Sequence, residues 1–298
     1  MAMLKRWFLF AIVNMLILLT LSIAFQVICS LLGYHPSADA TVWLFYGVLG
    51  MGGALINLAM SRIFAKSMMG VQVISPTTQN PRERQLLEMV YSLAQKAGLP
   101  AMPEVGIYDG AEINAFATGP TKRRALVAVS TGLLQRMDHD AVEGVLGHEV
   151  THIANGDMVT MTLIQGVINT MVLIAARLLA TLVAGQVEER SRPWVRMLVF
   201  YLLQMVLSIF GSMVVCYFSR KREFRADAGG ARLAGRERML SGLKSLRQIY
   251  GQVEDDSSAQ HPSLATLKIS GHSNGFLALF ATHPPLDERI RRLETMPL

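Results

Sequence analysis

Four stretches of the chain are apolar almost without interruption: Trp7 to Tyr34, Ala40 to Ser61, Met158 to Ala176 continuing past Arg177 to Val187, and Met197 to Ser219. Each reaches the roughly 20 residues that a helix needs to cross a bilayer. A helix buried in a water-soluble core keeps a polar face and rarely runs this long without charge. All four are therefore predicted to span a membrane. The third carries the weakest signal because Arg177 interrupts it. That residue lies roughly 15 Å of helix from the segment's far end, near enough to snorkel to the interface. Lys5 and Arg6 before the first stretch imitate the start of a secretion signal. The apolar run is too long and lacks a small-residue cleavage site, so it reads as a retained anchor.

The polar chain between the second and third stretches is patterned differently. From Arg82 to Ala97, apolar residues fall at Leu86, Leu87, Met89, Val90, Leu93 and Ala94, an amphipathic helix ended by Gly98 and Pro100. Strand-like runs follow at Val105–Tyr108, Asn114–Thr118 and Ala125–Val129, punctuated by Gly110 and Gly119-Pro120. Asp140 and Glu143, spaced as a capping box, open a further helix that Asn155-Gly156 ends or bends. After the fourth stretch, Glu223–Leu233, Arg236–Tyr250 and Leu286–Thr295 read as helices, with a Ser-, Asp- and Gly-rich loop from Glu254 to Gly275. The expected organisation is a two-span anchor (1–61), a polar region (62–157), a hydrophobic hairpin (158–219) and a polar C-terminal part (220–298).

Composition agrees with this division: 51% of residues are hydrophobic and only 17% charged, unusual for a soluble enzyme. The net charge of +6 follows from orientation, and no nucleic-acid partner is expected. Lys5 and Arg6, Arg62 and Lys66, and Arg220 to Arg222 flank spans on one side, whereas the loop between the first two spans has neither Lys nor Arg. By the positive-inside rule both termini and the polar regions are cytoplasmic. Arg190, Arg192 and Arg196, between the third and fourth spans, count mildly against this and are partly offset by Glu188 and Glu189. Cys29 and Cys216 both fall in apolar stretches, which disfavours a disulfide framework or a thiolate metal site.

The chemistry concentrates in Val145–Asp157, which contains His148-Glu149-Val150-Thr151-His152. Residues i and i+4 share a helix face, so the two imidazoles can serve one metal ion, with Glu149 beside it as a proton carrier. Zinc suits such nitrogen and oxygen ligands. A hydrolytic site needs a third protein ligand, and position 158 is a methionine. Glu223 is the candidate, with Asp227 one turn on to orient a histidine through its free ring N–H; the alternative is a solvated acidic pair amid Arg220, Arg222 and Arg225. Two crossings between His152 and Glu223 return the chain to the same side of the membrane. His283 either reaches the site to stabilise an oxyanion or sits in a loop before the last helix. Asn114 either lies on a strand edge that can add a substrate strand or is a turn residue. Arg289 either pairs with a site carboxylate or decorates the last helix. His35, His139, His261 and His272 have no partner at metal spacing.

With the HExxH motif, Glu223-Phe224-Arg225-Ala226-Asp227, Asn114-Ala115-Phe116 and His283-Pro284-Pro285-Leu286-Asp287-Glu288-Arg289-Ile290 in order, the chain resembles the HtpX membrane proteases, which are related to the prenyl-protein endopeptidases. The resemblance implies a mainly α membrane protein with about four transmembrane helices and a cytoplasmic α+β metalloprotease domain of zincin type. It further implies a zinc-dependent endopeptidase of the bacterial inner membrane, acting on misfolded or damaged membrane proteins. Matching positions assign one Zn2+ to His148, His152 and Glu223, the catalytic base to Glu149, and support to Asp227. A membrane scaffold that binds zinc without catalysis and a narrow prenyl-processing peptidase stay open as alternatives.

Overall fold

The structure is a computed structural model and describes Val27, Ser30, residues 38–255, Leu279 and residues 281–297. The first apolar stretch thus lies outside the described residues apart from Val27 and Ser30. So do Cys29, His35, His261, His272 and nearly all of the Ser- and Gly-rich loop. In chain order the described elements are α1 (Ala38–Met68), β1 (Gln72–Val73), α2 (Pro81–Lys96), β2 (Glu104–Tyr108), β3 (Ala115–Thr121), β4 (Arg124–Ser130), α3 (Thr131–Arg136), α4 (His139–Asn155), α5 (Asp157–Ala184), α6 (Arg192–Ala234), α7 (Arg236–Asp255) and α8 (Leu286–Thr295). Among the described residues, three helices, not four, are long and apolar enough to cross a membrane: α1, α5 and α6.

The chain divides into two compact units, Met1–Asn57 with Thr162–Val215, and Leu58–Met161 with Cys216–Leu298. In the first, Tyr46 of α1 stacks on Phe200 of α6 with ring centroids 5.9 Å apart. Ala176, Ala180 and Ala184 form a buried small-residue face on α5, as the i, i+4 spacing dictates. Large apolar side chains point outward instead: Leu182 is 67% and Leu198 70% exposed. Helices that turn leucines outward are built for lipid.

The second unit is α+β. Its sheet runs β1-β2-β4-β3, with β2 and β4 parallel and the other pairs antiparallel. Alternation along β4 sends Ala125, Val127 and Val129 to one face, where they join Leu86, Val90 and Leu93 of α2 and Leu146, Val150 and Ile153 of α4. Leu126 and Ala128 face the other way, against Ala65, Val71 and Tyr108. β4 is therefore the buried central strand and β3 an edge. β1, only two residues long, and the short α3 have no clear signal in the sequence. Lys66, in the last turn of α1, bonds Glu104 of β2 at 2.7 Å, and Arg62 pairs with the same carboxylate.

Two local expectations change. The side chain of Asp138 caps α4, accepting the Ala141 N–H at 2.7 Å. Asp140 and Glu143 do not form the expected capping box; they bind Arg238 of α7 at 3.2 and 2.9 Å. Against the expectation that His139 has no partner at metal spacing, both carboxylates lie near it, Glu143 at i+4, but Arg238 already supplies their cation. The fourth apolar stretch and the helix expected from Glu223 also form one 43-residue helix, α6. No Gly or Pro separates Ser219 from Glu223, and Arg220, Lys221 and Arg222 are good helix formers.

Packing of α4 on α7 sets the position of the metal-ligand helix. A Cβ at Gly144 would lie 2.1 Å from the Arg238 carbonyl oxygen, so only glycine permits this approach. Gly144→Ala should force the helices apart and lower stability by about 1–3 kcal/mol. Thermal unfolding of the detergent-solubilised protein would register the loss, and an unchanged midpoint would contradict the close contact.

Candidate metal centre

α4 carries His148 and His152 one turn apart, and Gly156, at φ +71°, ends the helix in a left-handed cap. The Lys122 ammonium also binds the carbonyl of Ala154 in its last turn. Both histidines are buried, at 6% and 7% exposure, and Glu223 of α6 is fully buried. The His148 and His152 Nε2 atoms are 3.1 Å apart. Nε2 of His148 lies 3.3 Å from one Glu223 oxygen, and Nε2 of His152 lies 3.4 Å from the other.

The protonation pattern explains what these atoms face. Nδ1 of His148 lies 2.9 Å from Asp227, and Nδ1 of His152 lies 2.7 Å from Asp157. If each Nδ1–H donates to its carboxylate, both Nε2 lone pairs point at one another and at Glu223, whose Oε1 has no hydrogen-bond partner. Two lone pairs at this distance beside a buried carboxylate repel unless a cation lies among them. Tetrahedral ligands on zinc, with bonds of 2.0–2.1 Å, stand about 3.3 Å apart, close to the 3.1 Å between the imidazole nitrogens and the 3.3–3.4 Å from each to a Glu223 oxygen. The donor set therefore fits a metal ion.

The surrounding charge favours a cation too. Burial alone would push the His152 pKa down, but Asp157 and Glu223 outweigh it and raise it to about 9. At His148 burial likewise acts downward, and Asp227 with Glu223 overcomes it. Burial pushes the Glu223 carboxyl up, yet His148, His152 and His283 hold it far below the usual carboxylate range.

Arg289, at the start of α8, grips Asp227 through both arms of its guanidinium, Nε to Oδ2 at 2.9 Å and Nη2 to Oδ1 at 2.6 Å. Against burial, which acts upward, Arg289 and His148 bring Asp227 down to about 2. Of the two readings of Arg289, the buried pairing is found. His283, just ahead of α8, bonds Glu223 Oε2 through Nδ1 at 2.8 Å. Oε2 of Glu149 accepts the Ala117 N–H of β3 at 2.9 Å, so that amide points away from β4. Asn114 precedes β3; its carbonyl accepts the Ser130 N–H at 2.9 Å. His148, Glu149, Glu223, His283, Asn114 and Arg289 all line one cavity of 390 Å3.

Comparison with known proteins decides the family. Residues 80–297 match the model of peptidase family M48. A protease HtpX homolog of Bacillus licheniformis is 50% identical, covering 97% of this chain and 99% of that one. The Bacillus subtilis homolog is 48% identical over 98% and 99%, and a protease HtpX of Xanthomonas oryzae 45% identical over 98% and 97%. The chain belongs to peptidase family M48. Within M48 its relatives are HtpX proteases, and the buried His148–His152–Glu223 cluster makes it a membrane-bound zinc metalloendopeptidase of that type. The crystal structure of S. mikatae Ste24p shares the fold, with a TM-score of 0.59 at 19% identity; the match covers 95% of this chain and 65% of that one.

One residue of this M48 site escaped the sequence reading. Asp157 is 2% exposed and holds His152 as Asp227 holds His148. It looked like the boundary of an apolar run, but an acid directly after a helix-ending Asn-Gly, five residues past a histidine, was the available signal. Asp157→Asn should keep the fold and weaken zinc binding by about 10–100-fold, as measured by competition with a chromogenic chelator.

Proposed function

We propose that this M48 protein holds a single Zn2+ on His148, His152 and Glu223 and cleaves internal peptide bonds of misfolded or damaged membrane proteins at the cytoplasmic face of the bacterial inner membrane. The observation that carries this reading is the buried His148–His152–Glu223 cluster, its imidazole Nε2 atoms 3.1 Å apart and each 3.3–3.4 Å from a Glu223 oxygen, with Glu149 in the same cavity. Zinc, when bound, supplies Lewis-acid chemistry, polarising a carbonyl and acidifying water.

The chain's own residues do the rest. Glu149, held by the Ala117 N–H, takes a proton from the attacking water and later passes it to the leaving amine. Asp227, gripped by Arg289, and Asp157 fix the two imidazoles in the tautomer that turns Nε2 inward. His283 bonds Glu223 Oε2 through Nδ1 and lines the same cavity, where its other ring nitrogen can meet a developing oxyanion. β3 is an edge strand, so an extended substrate can lie along it through main-chain hydrogen bonds that ignore side-chain identity; Asn114 stands where that strand begins. Such tolerance suits damaged proteins of varied sequence.

The membrane setting is part of the proposal. Asp157, which orients His152, is the first residue of the apolar helix α5, and Glu223 follows the apolar part of α6. The Lys and Arg distribution supports a cytoplasmic position for both termini and this site. In detergent, the purified protein should contain one zinc per chain and degrade an unfolded membrane protein. Chelation should abolish that activity, and stoichiometric zinc should restore it. Undiminished proteolysis in a metal-free preparation would overturn the reading.

A further inference from the structure

Much of the cavity beside the triad is apolar. Met239, Leu243, Leu246 and Tyr250 line it from α7, and their spacing of four, three and four residues puts them on one helix face. Leu133 of α3 and Val145 of α4 add to the wall; Val145 stands one turn before Glu149. Leu133, Met239 and Leu243 are buried, whereas Leu246 and Tyr250 are partly exposed. The apolar wall thus passes from a buried end at Leu133, Met239 and Leu243 to a mouth at the partly exposed Leu246 and Tyr250. Tyr250 also donates its hydroxyl to the Ile113 carbonyl at 3.2 Å, tying α7 to the segment that leads into β3.

This cavity is the one that His148, Glu149 and Glu223 line. A peptide with its carbonyl at those residues has a neighbouring side chain within reach of the apolar end. At 390 Å3 the space falls in the range of about 300–1,000 Å3 that ligand pockets occupy. It offers a charged side chain little, because the Arg289 guanidinium is bound to Asp227 and Glu223 to His283. A buried charge without a partner is strongly disfavoured, while a large apolar side chain gains by leaving water.

We propose that the cavity selects a large apolar residue, the size of leucine or phenylalanine, directly beside the scissile bond and always on the same side of it, with Leu246 at the mouth setting the size accepted. This rests on the peptidase reading above and narrows it: main-chain pairing along β3 tolerates sequence, and one pocket imposes a preference.

The test uses the full-length zinc-loaded protein in detergent and peptides that vary one residue on either side of a single cleavage site, with products mapped by mass spectrometry. Leucine or phenylalanine on one side should raise kcat/KM on the order of 10–100-fold over alanine, given that single methylenes are worth about 10–200-fold in such pockets. Aspartate and lysine there should fall below alanine. Leu246→Trp should cut cleavage of the phenylalanine peptide at least about tenfold while changing the alanine peptide far less, and Leu246→Ala should shift the preference toward larger residues. Preferences that stay unchanged in both variants, or that are absent in wild type, would overturn the pocket and leave the peptidase reading standing. Failure of the zinc-loaded wild type to cleave any peptide or unfolded membrane protein would remove that reading, and the pocket with it.

Discussion

Glu149→Gln should lower kcat/KM by about 10²–10⁴-fold, the range in which a positioned general acid–base group contributes, while zinc content stays at the wild-type level. The two halves of this expectation come from different atoms. Metal retention follows because His148, His152 and Glu223 lie 3.1–3.4 Å from one another through their own donor atoms, and Glu149 is not among them. Activity loss follows because glutamine keeps the shape of the side chain and can still accept the Ala117 N–H that Glu149 accepts, but cannot take up a proton. The amide therefore isolates proton transfer from positioning. The measurement is paired metal analysis and steady-state proteolysis on the same preparation. Full activity in the variant would remove Glu149 as the base. Zinc loss in parallel with activity would instead make it part of the metal site. A zinc-binding scaffold without catalysis predicts that replacing Glu149 has no functional effect, so the same variant separates that alternative.

What could be read in advance depended on how local the determining contact is. His148 and His152 share a face because of their spacing alone, and the strands between Val105 and Val129 announce themselves by apolar alternation and flanking glycines. The pairing of Asp227 with a histidine was accessible because Glu223 and Asp227 repeat the same i, i+4 geometry. Arg289 was harder: it meets Asp227 across 62 positions of chain, and nothing in its neighbourhood distinguishes a buried arginine from those that decorate an amphipathic helix. Asp140 and Glu143 had the spacing of a capping box, but Asp138 stands closer to the first turn and Arg238, from α7, claims the other two. A tertiary partner overrode a correct local rule. The join in α6 failed as an expectation for the opposite reason. Hydropathy changes sharply at Arg220 while helix propensity does not, so the change of environment falls inside one helix.

Glu223→Ala should lower zinc affinity by more than the roughly 10–100-fold expected of a residue that only orients a ligand, leaving the protein without zinc after dialysis against a chelator level that wild type withstands. Peptidase activity should fall with it. The argument is geometric and electrostatic together. Glu223 is the one member of the triad that α4 does not supply, it is fully buried, and its Oε1 lacks a hydrogen bond and has only the Arg222 Nε at 3.5 Å for a fixed positive partner, an arrangement to which a bound cation adds compensation. Without it, two neutral imidazoles hold a dication with no charged ligand, and Asp157 and Asp227 remain bonded to the far ring nitrogens, where they cannot take its place. Comparison across three variants separates the roles. Asp157→Asn and Asp227→Asn should each weaken binding within the supporting range and keep measurable activity when zinc is in excess, because the ligand set is intact. Glu223→Ala should not recover at any zinc concentration that the fold tolerates, since added metal cannot restore the missing ligand. If Glu223→Ala retains wild-type stoichiometry and affinity, the third ligand lies elsewhere and the buried carboxylate needs another explanation. If the Asp157 variant loses metal as completely as the Glu223 variant, the hydrogen bond to His152 is as decisive for binding as a ligand bond.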